Sequence, residues 1–380
     1  MNKLIALAFI VLTIGCAKQN EFLKISYVKG GQTFTDKIDI NKFIIDDENI
    51  QTDYIKQMSF ELIDSVNFID NNPDKISFCS TPVELDFTKP VNEYTPEYYS
   101  IATAYYTNKC VRYYNLVFDN KIMFQKYNKY RAIKVLQGNY ALFSRPNQYI
   151  LEEKQLFSPS IFYHEIGHVA FWLLEGDLGI KFKGLSPLHV GLMEYFTVSL
   201  YDYPLVGELV LKKAIRDASV IYTYPQPDSM RLRRTFALIK ESFPLEMLDT
   251  NTVVAQYYNL SLQKYDKILD KAVDNHRGGF LYTSTLWRIR EQLGQEKTDK
   301  LVAQTILNLN EFMEKRSDYY TPDSDEELIK KIMWHDLYYG LIQKDKELFG
   351  GENETLISAE FKKSSFPIEK ISFSKTLKKP

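Results

Sequence analysis

The chain has 380 residues, 45% apolar and 14% aromatic, enough to bury one large core or two lobes around a cleft. That composition excludes a disordered or fibrous chain. The formal net charge of -2 leaves no basic field to mark nucleic acid as the main partner, so a soluble catalytic or binding body is expected.

The first sixteen residues read as an export signal: Lys3 supplies positive charge, and Leu4 to Ile14 is an apolar run too short to span a bilayer. Leu12-Thr13-Ile14-Gly15-Cys16 resembles a bacterial lipobox, with threonine at the usual leucine position. The resemblance implies that residues 1–16 are a lipoprotein signal peptide and that Cys16 carries a lipid tethering the body to a membrane. An ordinary cleaved signal with an incidental cysteine is the alternative. Ala17 carries no acidic retention signal, so an extracytoplasmic body on the outer membrane is expected. Of the three cysteines only Cys79 and Cys110 then remain. An exported compartment permits them to pair, and two isolated buried thiols fit equally well. No CxxC occurs, so cysteine ligation of zinc is not supported.

Residues 22 to 45 alternate apolar and polar positions around Gly30-Gly31, which predicts a hairpin. Residues 54 to 70 and 96 to 118 show helical spacing, the second opening at Thr95-Pro96 as cap and first helical residue. Short apolar runs near 76 to 87 and 133 to 151 predict strands, with turns at Gly138-Asn139 and Arg145-Pro146-Asn147. From about residue 158 the pattern is almost wholly helical. The expected organisation is α+β: a mixed α/β N-terminal lobe over 17–155, a mainly helical lobe over 156–365, and a frayed, solvated tail over 366–380.

Ser158-Pro159 supplies an N-cap and first helical residue for a helix running to about Glu175-Gly176. Phe162, Ile166, Val169 and Leu173 form one apolar stripe, with His164 and His168 one turn apart on another face. Two imidazoles at that spacing can grip one metal ion, and Glu165 beside them can serve as general base toward a zinc-bound water. A shuffled sequence of this composition would contain HExxH only roughly a few times in a thousand. Satisfied structural histidines on a core helix are the bland alternative.

Beyond this helix, Gly191-Leu192-Met193-Glu194-Tyr195-Phe196 resembles the second metal helix of the gluzincin metallopeptidases, written EGLAEYF. His276-Arg277-Gly278-Gly279-Phe280 with Leu286-Trp287 is similar to the HxxG…LW segment of fungalysin-like enzymes. Asp336-Leu337, Asp345 to Gly351 and Phe361 resemble their closing helices. The likeness to the thermolysin and fungalysin families spans roughly residues 145 to 365. It implies a zincin-like fold with a zinc cleft between the two lobes. It also implies an edge strand near Asn147 to Leu151 that pairs with an extended peptide or protein substrate, and His276 as oxyanion donor. A turn histidine beside Gly278-Gly279 is the alternative for His276. His335 fits no motif and reads as structural.

The third metal ligand departs from the resemblance. If Glu194 is laid on the acidic residue closing EGLAEYF, the ligand position four residues earlier is Val190, which cannot bind a metal. His189 could then be the third ligand, Glu194 could itself bind the Zn2+, or the third protein ligand has been lost. Glu194 could equally be a carboxylate that orients His164, and His189 a partly exposed residue in the first turn of a helix beginning near Ser186-Pro187. The expected function is that of a lipid-anchored zinc metallopeptidase of the bacterial envelope. The alternative is a degenerate peptidase-like body that binds peptides or envelope proteins.

Overall fold

The computed structural model describes residues 22–43, 58–68, 76–92, 95–122, 124, 131–136, 148–152, 159–180, 182, 187–206, 216–222, 268–319 and 334–373. Residues 1–16, expected to be a signal peptide, the turns expected at 138–139 and 145–147, and Ser158 lie outside them. The described structure is mixed α and β and mainly helical. Among the described residues no helix is long and apolar enough to cross a membrane.

The chain opens with β1 (Phe22–Lys29) and β2 (Gln32–Asp39), an antiparallel pair closed by Lys29 opposite Gln32. Gly30 and Gly31 between them take left-handed φ values of 60 and 70°, the backbone a tight two-residue hairpin needs. Leu23, Ile25 and Ile38 are buried on one face, and Tyr201 fastens the hairpin by donating from its hydroxyl to the Val28 carbonyl at 2.8 Å.

A second sheet follows from β3 (Met58–Phe68), β4 (Ile76–Val83), β5 (Arg131–Leu136) and β6 (Gln148–Glu152), in the order β4-β3-β5-β6. β3 corrects the helix expected over 54–70. The register shifts between Ile63 and Ser65, so Asp64 is a bulge residue. That bulge breaks the alternation and leaves Phe60, Ile63 and Val66 at a spacing that imitates a helix. Among the described residues β6 pairs with β5 alone, in parallel, and forms one edge of the sheet.

Helix α1 (Pro96–Val117) begins as its sequence predicts, with Thr95 accepting from the Tyr98 N–H and proline in the first turn. It ends where Asp119 and Asn120 turn left-handed. α2 (Pro159–Asp177) and α3 (Pro187–Tyr201) follow, then the short pair β7 (Leu205–Val206) and β8 (Arg216–Asp217). The C-terminal part is α4 (Ile268–Leu293), α5 (Gln295–Leu307), α6 (Leu309–Glu314), α7 (Arg316–Tyr319), α8 (Trp334–Phe349) and α9 (Glu354–Lys363). Residues 366 to 373 are not frayed: Phe366, Ile368 and Ile371 are buried, and Phe366 packs on Trp334 and Phe361. Buried side chains from the hairpin to Ile371 join in one apolar cluster.

α3 is central: every residue from Leu188 to Ser199 is buried. It meets α4 at backbone distance, since a Cβ on Gly191 would lie 2.5 Å from the Gly279 carbonyl oxygen. The Thr283 hydroxyl donates to the Gly191 carbonyl at 2.9 Å and seals the crossing. One and two turns further along α3, Asp299 of α5 accepts from the hydroxyls of Tyr195 (2.6 Å) and Ser199 (2.7 Å), and also from Tyr113 (2.7 Å), tying α1 and α3 to α5. Arg290 of α4 donates to Ser199 and completes the network. Overpacked core sites typically lose about 1–3 kcal/mol. Because both neighbours of Gly191 are backbone or a short side-chain stem, G191A is expected to lose at least about 2 kcal/mol in urea unfolding.

Arg288 of α4 donates from Nε to Glu360 of α9 at 2.7 Å, both side chains buried, and Gln292 and Lys363 also donate to that carboxylate. Burial alone would raise the Glu360 pKa, but the donors Lys363, Arg288 and Gln292 outweigh it and hold it below the ordinary value. A depressed folded-state pKa contributes stability that is present above the unfolded value and is lost as pH falls through the folded one. The wild-type urea midpoint is therefore expected to fall on acidification below about pH 4.3, and an E360Q variant to lose that part of the acid dependence.

Candidate metal centre

Proline at its first position and a mainly apolar composition build α2. Phe162, Ile166, Val169 and Leu173 are all buried, as the stripe predicts. Burial extends to most of the other positions, and the partly exposed residues Glu165, Trp172 and Glu175 mark a narrow stripe facing outward at i, i+7 and i+10. His168 lies along that stripe, 7% exposed, and His164 beside it, 4% exposed. Gly167 lets the helix approach its neighbours, since a Cβ there would lie 2.8 Å from Met193 of α3 and 3.0 Å from the Tyr114 hydroxyl of α1.

The imidazoles of His164 and His168 lie 4.9 Å apart, centroid to centroid, with ring planes nearly perpendicular at 88°. Trp172 stacks on His168 at 6.0 Å. Behind the pair, Glu194 of α3 lies fully buried with Oε1 3.1 Å from His164 Nδ1. A carboxylate facing Nδ1 keeps the proton there and leaves Nε2 with its lone pair, the tautomer a metal-binding histidine requires. The Tyr114 phenol near this carboxylate is pushed well above its ordinary pKa, by burial first and then by Cys110, Asp299 and Glu194, so it stays neutral.

His189 is placed differently. It is wholly buried, where the sequence pattern expects partial exposure in a first helical turn, because Phe171 at 5.2 Å and Phe182 at 5.4 Å close over it. Its Nδ1 faces Glu175 Oε1 at 3.3 Å, and its ring centroid stands 6.1 Å from that of His168. Val190 follows, one helical turn before Glu194 on α3, buried and packed against Gly279 of α4. Among the described residues no three His, Cys, Asp or Glu side chains are grouped so as to hold one metal ion. A catalytic zinc takes three protein ligands and a water, and what the described residues bring together here is the pair His164 and His168 with Glu194 against His164.

His276 lies on α4, three residues before Gly279, with Gly278-Gly279 in the interior of the helix and not in a turn. Its side chain is outside the described residues. His335 is buried at the start of α8, with Nε2 3.4 Å from Asp336, the carboxylate that also takes Arg316 and the Tyr319 hydroxyl. Two contacts have no counterpart in the motifs, Trp172 on His168 and Glu175 on His189. Their positions four and seven residues after His168, along the outward stripe, are the signal that points to them.

No protein-family model matches this chain, and no curated protein matches it significantly. The likeness to gluzincins rests on the motif residues themselves.

Removing the acceptor that faces His164 Nδ1 tests the geometry directly. E194A is expected to lower the unfolding free energy by about 1–3 kcal/mol, read from urea denaturation followed by circular dichroism. An unchanged midpoint would show that the contact contributes nothing.

Proposed function

We propose that this chain is an exported, lipid-anchored protein of gluzincin type that retains the histidine pair of the metal centre, lacks its third protein ligand, and binds extended polypeptide without efficient hydrolysis. The observation that carries this reading is the 3.1 Å contact between His164 Nδ1 and Glu194. It fits Glu194 to the orienting role, and with that role filled, the residue one turn earlier on α3 occupies the place of the third ligand. That residue is Val190. His189, the other candidate, turns its Nδ1 to Glu175.

The polypeptide-binding part rests on β6. This strand precedes α2 by seven sequence positions, from Glu152 to Pro159, and among the described residues it pairs with β5 on one side only. An edge strand offers a backbone ladder to an incoming extended segment, a general means of recognising peptides. Nothing in the charge favours nucleic acid.

A second reading, a working Zn2+ peptidase with Glu165 as base and His276 as oxyanion donor, is favoured by one observation. Glu165 directly follows His164 and stands on the partly exposed stripe of α2.

Metal analysis separates the two. After dialysis the wild-type protein is expected to hold well under one zinc per chain and to show no peptide cleavage that E165Q abolishes. In known sites a partner outside the ligand shell is already worth roughly 10–100-fold in metal affinity, so V190E, which supplies a ligand, is expected to tighten zinc binding by at least that factor. Stoichiometric zinc in the wild type together with Glu165-dependent cleavage would overturn the first reading and establish the second.

A further inference from the structure

The β1–β2 hairpin has two unlike faces. Directly opposed residues of an antiparallel pair share a face, and Leu23 opposite Ile38 lies on the buried one. The other face carries Phe22, Lys24 and Ser26 of β1 opposite Asp39, Lys37 and Thr35 of β2. Phe22 is 44% exposed, although a large aromatic ring at the start of a strand has the core within reach on the other face. Lys37 lies over that ring, its Nζ 3.9 Å from the centroid. Lys24 and Lys37 stand directly opposite one another and both are exposed, a like-charge pairing that disfavours the hairpin by itself. The nearby carboxylate, Asp39, is shared between Lys42 at 3.7 Å and the Asn41 N–H at 3.2 Å. The face therefore offers an aromatic ring flanked by a surplus of cation, the combination that settles at a lipid headgroup layer.

Its place in the chain names the occupant. Only residues 17–21 separate Cys16 from Phe22, and six extended peptide steps reach at most about 20 Å. On the lipid-anchor reading given above, this hairpin is the part of the body held nearest the bilayer, and so short a tether makes docking an intramolecular event. We propose that the outer face of the β1–β2 hairpin, centred on Phe22, Lys24 and Lys37, docks against the anionic phospholipid headgroups of the membrane that holds the Cys16 lipid. Docking neutralises the Lys24–Lys37 repulsion and fixes the direction in which the body points from the membrane.

The test uses the full chain, processed in a bacterial host and reconstituted into phosphatidylethanolamine–phosphatidylglycerol vesicles, with acylation of Cys16 read by mass spectrometry. The emission that F22W adds to the wild-type signal is expected to be roughly halved by lipids brominated near the headgroup. That quenching is expected to disappear in the combined F22W/K24E/K37E variant and in phosphatidylcholine vesicles. In the unsubstituted chain, Lys24 and Lys37 are expected to be protected from amine-reactive labelling by the anionic vesicles and not by detergent. Acylated protein with unquenched emission and fully labelled lysines would overturn the docking while leaving the lipid anchor standing. A chain without lipid on Cys16 would overturn the anchor and the docking together. Quenching that survives the charge reversal would overturn the anionic headgroup as the partner.

Discussion

A helix buried along nearly its whole length must deliver its polar groups to partners inside the protein, and α3 is such a helix. Its partners arrange the rest of the structure. Tyr195 and Ser199 reach Asp299 and bring in α5 and α1, Gly191 admits α4 to backbone distance, and Glu194 reaches back to His164 on α2. Burial is the largest influence on Asp299 and raises its pKa, against the lowering effect of Tyr195, Ser199, Tyr113 and Arg290. A buried carboxyl without those hydroxyls would be costly; with them it becomes the joint of three helices.

The candidate centre inherits its geometry from this arrangement. Because α3 is fixed at Asp299 and at the Gly191–Gly279 crossing, the rotation that presents Glu194 to His164 also determines where the residues one turn earlier fall. Val190 meets Gly279, and His189 falls among Phe171, Phe182 and Glu175. The proposed loss of the third ligand therefore concerns one side chain in an otherwise retained frame.

Much of this was legible in the residues. Thr95-Pro96 marks the start of α1, Gly30-Gly31 the hairpin, and His164 with His168 the helix that presents them. β3 was hidden because one bulged residue, Asp64, resets the alternation, and no local signal distinguishes a bulge from a helical step. The competition between His189 and Glu194 could not be resolved from spacing, because it turns on the rotation of α3 about its own axis. That rotation is set by Asp299, about a hundred residues further along the chain. The burial of Phe366 and Ile371 was hidden for a related reason: their partners Trp334 and Phe361 lie on helices that only tertiary packing brings to the same place.

Cys110 sits within α1 as a buried free thiol, and burial pushes its pKa well above the ordinary thiol value. The thiolate is the species that oxidises, so the folded chain keeps this sulfur inert. If the chain is exported as proposed, it crosses its membrane before α1 is formed, with the same sulfur open to oxidants and close to its unperturbed acidity. Folding is then a race against mispairing, and the aromatic packing of Tyr106 and Tyr114 around α1 protects the thiol only once the race is won.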